Sequence, residues 1–182
     1  MKQRLPLTDF ADELGVGYMN LVIRRIGQLI ASAGDAYMRE RGIAVPATST
    51  SVLTYVSLRE GSPLAEIAQS LGYTHQAVAK VIDMFEAKGL VQVKISDEDM
   101  RMRLVTLTRK GRREADLVRA VADRAAIVFE EVFDEIGVDV FSALRDFERA
   151  LARRPLSGRL LDAGTTDGGL ARRSKRPRTK PQ

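Results

Sequence analysis

Ser62-Pro-Leu-Ala-Glu-Ile-Ala-Gln-Ser-Leu71, followed by Gly72-Tyr-Thr-His75-Gln-Ala-Val-Ala-Lys80-Val-Ile-Asp-Met-Phe85-Glu-Ala-Lys-Gly89, reads as two short amphipathic helices joined by a glycine turn. Ser62 is expected as an N-cap, with Pro63 at the first helical position, where a missing N–H costs nothing. The first helix, Leu64 to Leu71, stops at Gly72. Tyr73 makes the turn, and Thr74 is placed to accept a bond from the free amides of a helix running from His75 to Lys88. Val78, Val81, Ile82 and Phe85 form the inner face of that helix, and Gly89 ends it. A tight turn between two helices, the second longer and polar in its first turns, is the layout of a helix-turn-helix.

Downstream, Leu90 to Ile95 and Met102 to Leu107 are rich in β-branched and apolar residues and are separated by a charged Ser-Asp-Glu-Asp-Met-Arg tip. This predicts a β-hairpin, and a hairpin appended to a helix-turn-helix is a winged helix. Upstream, a helix from Thr50 to Arg59 buries Val52, Leu53 and Val56 and ends with Gly61 at its C′ position. Further helices are predicted on both flanks. Asp9 to Arg41 carries Val22, Ile26, Leu29, Ile30, Ala33 and Tyr37 in one stripe, interrupted at its start by Gly15 and Gly17. Thr108 caps a helix to about Ile136, striped by Leu117, Val121, Ala125, Val128, Val132 and Ile136. Gly137 breaks it, and a last helix from Asp139 to Arg153 carries Val140, Leu144, Phe147 and Leu151. Each stripe must be buried, and a helical dimer interface is the economical cover. The fold class is therefore mainly α with a small β-hairpin wing: a winged helix-turn-helix plus a helical dimerisation region.

The chain has 182 residues, 29% of them charged, with no cysteine and one histidine. This excludes a disulfide scaffold, a thiolate nucleophile and Cys/His zinc sites. There is no Gly-x-Ser-x-Gly, Walker lysine or metal-ligand spacing, and Gly15-Val-Gly17 lacks the third glycine of a dinucleotide fingerprint. Asp97-Glu98-Asp99 is too short for a calcium loop. The expectation is a protein without enzymatic activity, cofactor or metal. With no signal-peptide h-region and no membrane span, a cytoplasmic location without membrane partners is expected. Charge is unevenly placed. Residues 153–182 hold nine Lys/Arg against two acids, whereas the rest carry 20 basic and 22 acidic residues. The segment from Pro155 onward is expected to be disordered, and its last eleven residues carry six positive charges and no negative one. Between residues 62 and 108 there are five basic and six acidic residues.

The order of Leu64-Ala-Glu-Ile-Ala-Gln-Ser-Leu-Gly72, Phe85-Glu-Ala-Lys-Gly-Leu-Val91 and Asp99-Met-Arg-Met-Arg-Leu-Val-Thr-Leu-Thr108 before Gly111 resembles the multiple antibiotic resistance regulator (MarR) family of transcription factors. The resemblance covers roughly residues 18 to 150 and divides the chain into four parts. Residues 8–41 are a first dimerisation helix, 48–108 the winged helix-turn-helix, 109–153 the C-terminal dimerisation helices and 154–182 a basic tail. It implies a homodimeric repressor or activator on double-stranded DNA, with half-sites about 10 bp apart. Thr74, His75, Gln76, Ala77 and Lys80 would then face the major groove, and the wing arginines Arg101 and Arg103 the minor groove, with Asp99 shaping the wing tip. The alternative for these arginines is an ion pair within the wing to Asp97, Glu98 or Asp99. Ala79 stands where many relatives carry a hydroxyl residue, and Met100 and Met102 where charged or small residues are common. Arg172, Arg173, Lys175 and Arg176 are candidates for non-specific DNA contacts. Family members commonly bind a small aromatic or phenolic ligand, for which Tyr37, Met38 and Tyr55 are the candidate lining, with plain core as the alternative. A competing reading is a dimeric winged-helix scaffold that binds a protein, supported by the near-neutral charge of the reading lobe.

Overall fold

The computed structural model describes residues 10–95, 100 and 102–164. The order of elements is α1 (Phe10–Leu14), α2 (Met19–Glu40), α3 (Thr50–Leu58), β1 (Ser62–Pro63), α4 (Leu64–Leu71), α5 (His75–Ala87), β2 (Val91–Ile95), β3 (Arg103–Leu107), α6 (Arg109–Ile136), α7 (Val140–Arg153) and α8 (Leu156–Gly164). The chain divides into two compact units, Met1–Ala125 and Ala126–Gln182, and α6 runs from one into the other.

In the first unit the core is built by α3, α4, α5 and the sheet. Val52, Leu53 and Val56 of α3, Ile67 of α4, and Val78, Ile82 and Phe85 of α5 are excluded from solvent, as are Leu90 and Val105. Burying each such side chain contributes about 1.5–3 kcal/mol against chain entropy. The hairpin pairs Val91 with Leu107 and Val93 with Val105 on its inner face, and Gln92 with Thr106 on its outer one. This is the period-2 alternation of a half-buried antiparallel pair. Only the first turns of α6 reach this core, through Gly111, Ala115 and Val118.

Several local expectations need correction. Ser62 is not an N-cap. It pairs with Val105 as part of β1, an edge strand, and Pro63 takes the N-cap position without a side-chain bond. The residue before proline favours extended backbone, which suits strand pairing better than capping. Gly61 has the expected positive φ of 82°, yet α3 has already ended at Leu58. Gly61 instead turns the chain into β1, and its amide donates to the Val105 carbonyl at 2.8 Å.

In the second unit, Gly137 at φ 68° separates α6 from α7, and the Asp139 carboxylate caps α7 by accepting from the Ser142 amide at 2.9 Å. That bond, to a backbone donor, holds the Asp139 carboxyl below the usual carboxylate range. The segment expected to be disordered from Pro155 begins instead with a helix, α8. Composition misses it because the support is local. Leu156, Leu160 and Leu161 recur near the helical period, Arg159 donates to the carbonyls of Arg154 and Ala150, and Arg154 pairs with Asp162. Neither α7 nor α8 has a buried residue.

Candidate nucleic-acid interface

The geometry starts at Gly72, whose left-handed conformation (φ 66°) ends α4 and turns the chain toward α5. The Tyr73 amide donates to the Ala68 carbonyl at 2.9 Å, and the Tyr73 hydroxyl lies 3.2 Å from that of Ser51 on α3. Thr74 accepts from the Ala77 amide at 3.1 Å, the expected N-cap. With Val78, Ile82 and Phe85 turned inward, Thr74, His75, Gln76, Ala77 and Lys80 all lie on the exposed side of α5. Ala79 is half-buried against the core.

A second element is locked beside this helix. The Thr108 hydroxyl donates to the Gly89 carbonyl at 2.7 Å and accepts from the Gly111 amide at 2.9 Å, tying the base of the hairpin to the start of α6. A Cβ at Gly111 would lie 1.9 Å from the Leu90 carbonyl oxygen, so this close approach admits only glycine.

Arg103, expected at the minor groove or paired within the wing, reaches the recognition helix instead. Its guanidinium lies 3.7 Å from Asp83 of α5. Asp83 was not singled out from the sequence, although it follows Gln76 and Lys80 at helical spacing on the same face. Both partners are exposed, and such a pair contributes about 0–1 kcal/mol. Asp99 and Arg101 lie outside the described residues, as do Asp97, Glu98 and the tail residues Arg172, Arg173, Lys175 and Arg176.

The residues chosen for a ligand pocket do not stay together. Met38 is buried in the core, where its flexible side chain fills space among packed apolar groups. Tyr55 is held there too, its hydroxyl donating to Glu66 at 2.7 Å and accepting from Ser70 at 3.2 Å. The Arg59 guanidinium also donates to that hydroxyl, and this bond raises the Arg59 pKa. Tyr37 alone faces open space. It lines a groove of about 360 Å³ between α2 and α6, with Ile43, Leu117, Ala120 and Val121 as apolar walls and Arg41 and Arg124 as charged ones. The Arg41 guanidinium sits 3.5 Å over the Tyr37 ring.

Residues 45–102, from the approach to α3 through the wing, match the model of the MarR family. The chain is a winged helix-turn-helix protein whose residues 45–102 match the MarR family. The fold is similar to that of the transcriptional repressor CouR bound to a 23-mer DNA duplex, with a TM-score of 0.62 and 21% identity over 80% of this chain and 98% of that one. It is also similar to CouR from Rhodococcus jostii bound to p-coumaroyl-CoA, with a TM-score of 0.56 and 26% identity over 74% of this chain and 91% of that one. An uncharacterized protein of Mycobacterium tuberculosis, Rv2011c, is 25% identical over 130 residues, 71% of this chain and 82% of that protein.

Proposed function

We propose that the chain is a non-enzymatic, homodimeric transcriptional regulator of the cytoplasm that reads a pseudo-palindromic operator and responds to a small aromatic or phenolic ligand. The observation that carries this reading is α5. Thr74 caps its start, its apolar face is fully engaged in the core, and a polar face of His75, Gln76 and Lys80 is left outward beside a hairpin. Gln76 suits a bidentate contact with adenine and Lys80 a guanine or phosphate, each good bidentate contact giving about 1–3 kcal/mol of discrimination. Arg101 is assigned to the minor groove, with Asp99 shaping the tip. Arg103 is assigned to the wing's contact surface, balanced by Asp83. The CouR complex with DNA supports the partner class.

The dimer is supported by apolar faces that each unit leaves uncovered. Ile26 and Ile30 of α2 are 49% and 48% exposed, and in the second unit Phe141, Leu144 and Phe147 are likewise open. A second copy of the chain buries such faces symmetrically. The groove beside Tyr37 suits a ligand with an apolar body and a polar or anionic substituent facing Arg41 and Arg124. CouR's complex with p-coumaroyl-CoA supports a ligand of that kind.

The test is selection from a random pool of duplexes by the full-length protein, repeated with Gln76→Ala and Arg101→Ala. Enrichment of an inverted repeat with half-sites about 10 bp apart is expected. Gln76→Ala should relax preference at one base position and Arg101→Ala should lower affinity for A·T-flanked sites. If wild-type protein enriches no sequence, the reading fails in favour of a winged-helix scaffold for a protein partner, which the near-neutral lobe supports.

A further inference from the structure

The segment that leads from α2 to α3 is gripped by two other helices. Ile43 and Val45 turn inward and are buried, which leaves Ala44 between them on the surface. Both backbone groups of Ala44 are nevertheless held by charged side chains. Its amide donates to a Glu114 carboxylate oxygen of α6 at 3.2 Å, and its carbonyl accepts from the Lys88 ammonium group. Hydrogen bonds with one ionised partner are roughly twice as strong as neutral ones. Lys88 is the C-cap residue of α5, so its side chain fastens the end of that helix to the α2–α3 segment. The Lys88 carbonyl in turn accepts from Lys110 at 2.8 Å, and the Leu90 amide donates to the Phe85 carbonyl at 2.8 Å. Movement of Ala44 therefore bears on the end of α5.

The same segment forms a wall of the groove beside Tyr37. Ile43, the residue before Ala44, lines that groove together with Leu117, Ala120 and Val121 of α6. The Ile43 amide donates to the Met38 carbonyl at 3.0 Å, and its side chain belongs to the core. Glu114, Leu117 and Val121 follow one another at spacings of three and four, so the hold on Ala44 and the groove share one face of α6. A molecule that presses α6 and Ile43 apart acts first on the bonds to Ala44, and through Lys88 on α5. A close-packed core passes such a displacement on because it has little free volume to absorb it.

We infer that the clamp of Glu114 and Lys88 on Ala44 is the link that carries occupancy of the Tyr37 groove to α5, with Glu114 and Lys88 as positioning residues. This rests on the ligand-responsive DNA reading proposed above, and the test keeps the two separable. The chain has no cysteine, so Ala120→Cys places a single thiol in the groove, and N-phenylmaleimide attached to it serves as an aromatic occupant. Amide hydrogen exchange and affinity for a selected operator are compared before and after labelling of the full-length protein. Labelling should speed exchange in residues 84–90 and weaken operator binding, each by about fivefold or more. Lys88→Met and Glu114→Ala each open one end of the clamp and should abolish both responses, whereas Glu114→Gln keeps an acceptor for the Ala44 amide and should retain them. A merely structural role shifts the unlabelled values but not the ratio that labelling produces. If Lys88→Met does not fold, the two Glu114 variants decide. Exchange in residues 84–90 that is unchanged or slower on labelling overturns the link, as does an operator affinity that does not change, or a full response in Glu114→Ala. If exchange responds through the clamp but the protein binds no duplex, the link is supported and the DNA-reading function is the part that fails.

Discussion

The winged-helix lobe and the helices that flank it follow opposite rules of burial. In the lobe α3, α4, α5, β2 and β3 all contribute buried apolar side chains to one core, and even the polar Tyr55 hydroxyl is satisfied there. Outside it, α2 buries Met38 alone, α6 buries nothing beyond Val118, and α7 and α8 bury nothing. Yet α7 is as regularly striped as any helix of the lobe, through Val140, Leu144, Phe147 and Leu151. The difference separates a part of the chain that closes a core of its own from one that leaves its apolar stripes exposed. Lobe stability should be independent of protein concentration, and order in the flanking helices should depend on it.

The sharpest way to break this contrast is Ile26→Asp on α2. If the uncovered face is a two-fold interface, each substitution counts twice and removes about 3–6 kcal/mol of association free energy. Sedimentation should then show a dimer affinity weakened at least about 100-fold, converted at about 1.4 kcal/mol per tenfold, with the lobe still folded. An unchanged dimer would assign the stripe to something else. Phe85→Ala attacks the other side of the comparison. It opens a cavity in the closed core and should cost about 3–5 kcal/mol in denaturant unfolding, with a shift that does not vary with protein concentration.

Gly111→Ala strikes the seam between the two regions. A methyl group driven against the Leu90 carbonyl must displace either the hairpin base or the first turn of α6. A loss of about 1–3 kcal/mol is expected, together with reduced DNA affinity although Gly111 is buried. Wild-type stability in the variant would mean the seam is loose. The smallest effect concerns Asp139, whose folded carboxyl pKa lies below its unfolded value because it accepts from the Ser142 amide. Its contribution to α7 is present above the unfolded pKa and is lost as pH falls through the folded one. Helicity in the second unit should therefore decline on acidification below about pH 4, and Asp139→Asn should flatten that dependence. An identical acid titration in the variant would remove Asp139 from the account.

Much of the architecture was legible because its signals are local. Gly72, Thr74 and Gly89 punctuate the helix-turn-helix through their own backbone preferences, and Thr108 and Asp139 do the same for the helices they cap. The inner face of α5 followed from a spacing of three and four residues alone. Ser62 misled because capping and strand pairing compete for the same residue type, and the winner is set by β3, more than forty residues later. The start of the tail misled because average composition hides a short leucine stripe with one arginine folded back onto the preceding helix.

The candidate site divides along the same line. Residue type and helical period were enough to place Thr74, His75, Gln76 and Lys80 on an outward face, since a helix whose inner positions are apolar has only one other side to offer. Nothing within reach of a few residues could say that Arg103 would meet Asp83, that Tyr55 would be tied down by Glu66 and Ser70, or that Tyr37 would share a groove with Arg124. Those pairings join residues 11 to 87 positions apart in the chain. They depend on strand register and on the packing of α2, α5 and α6, because a side chain's long-range partner is chosen by where the backbone carries it and not by its own chemistry.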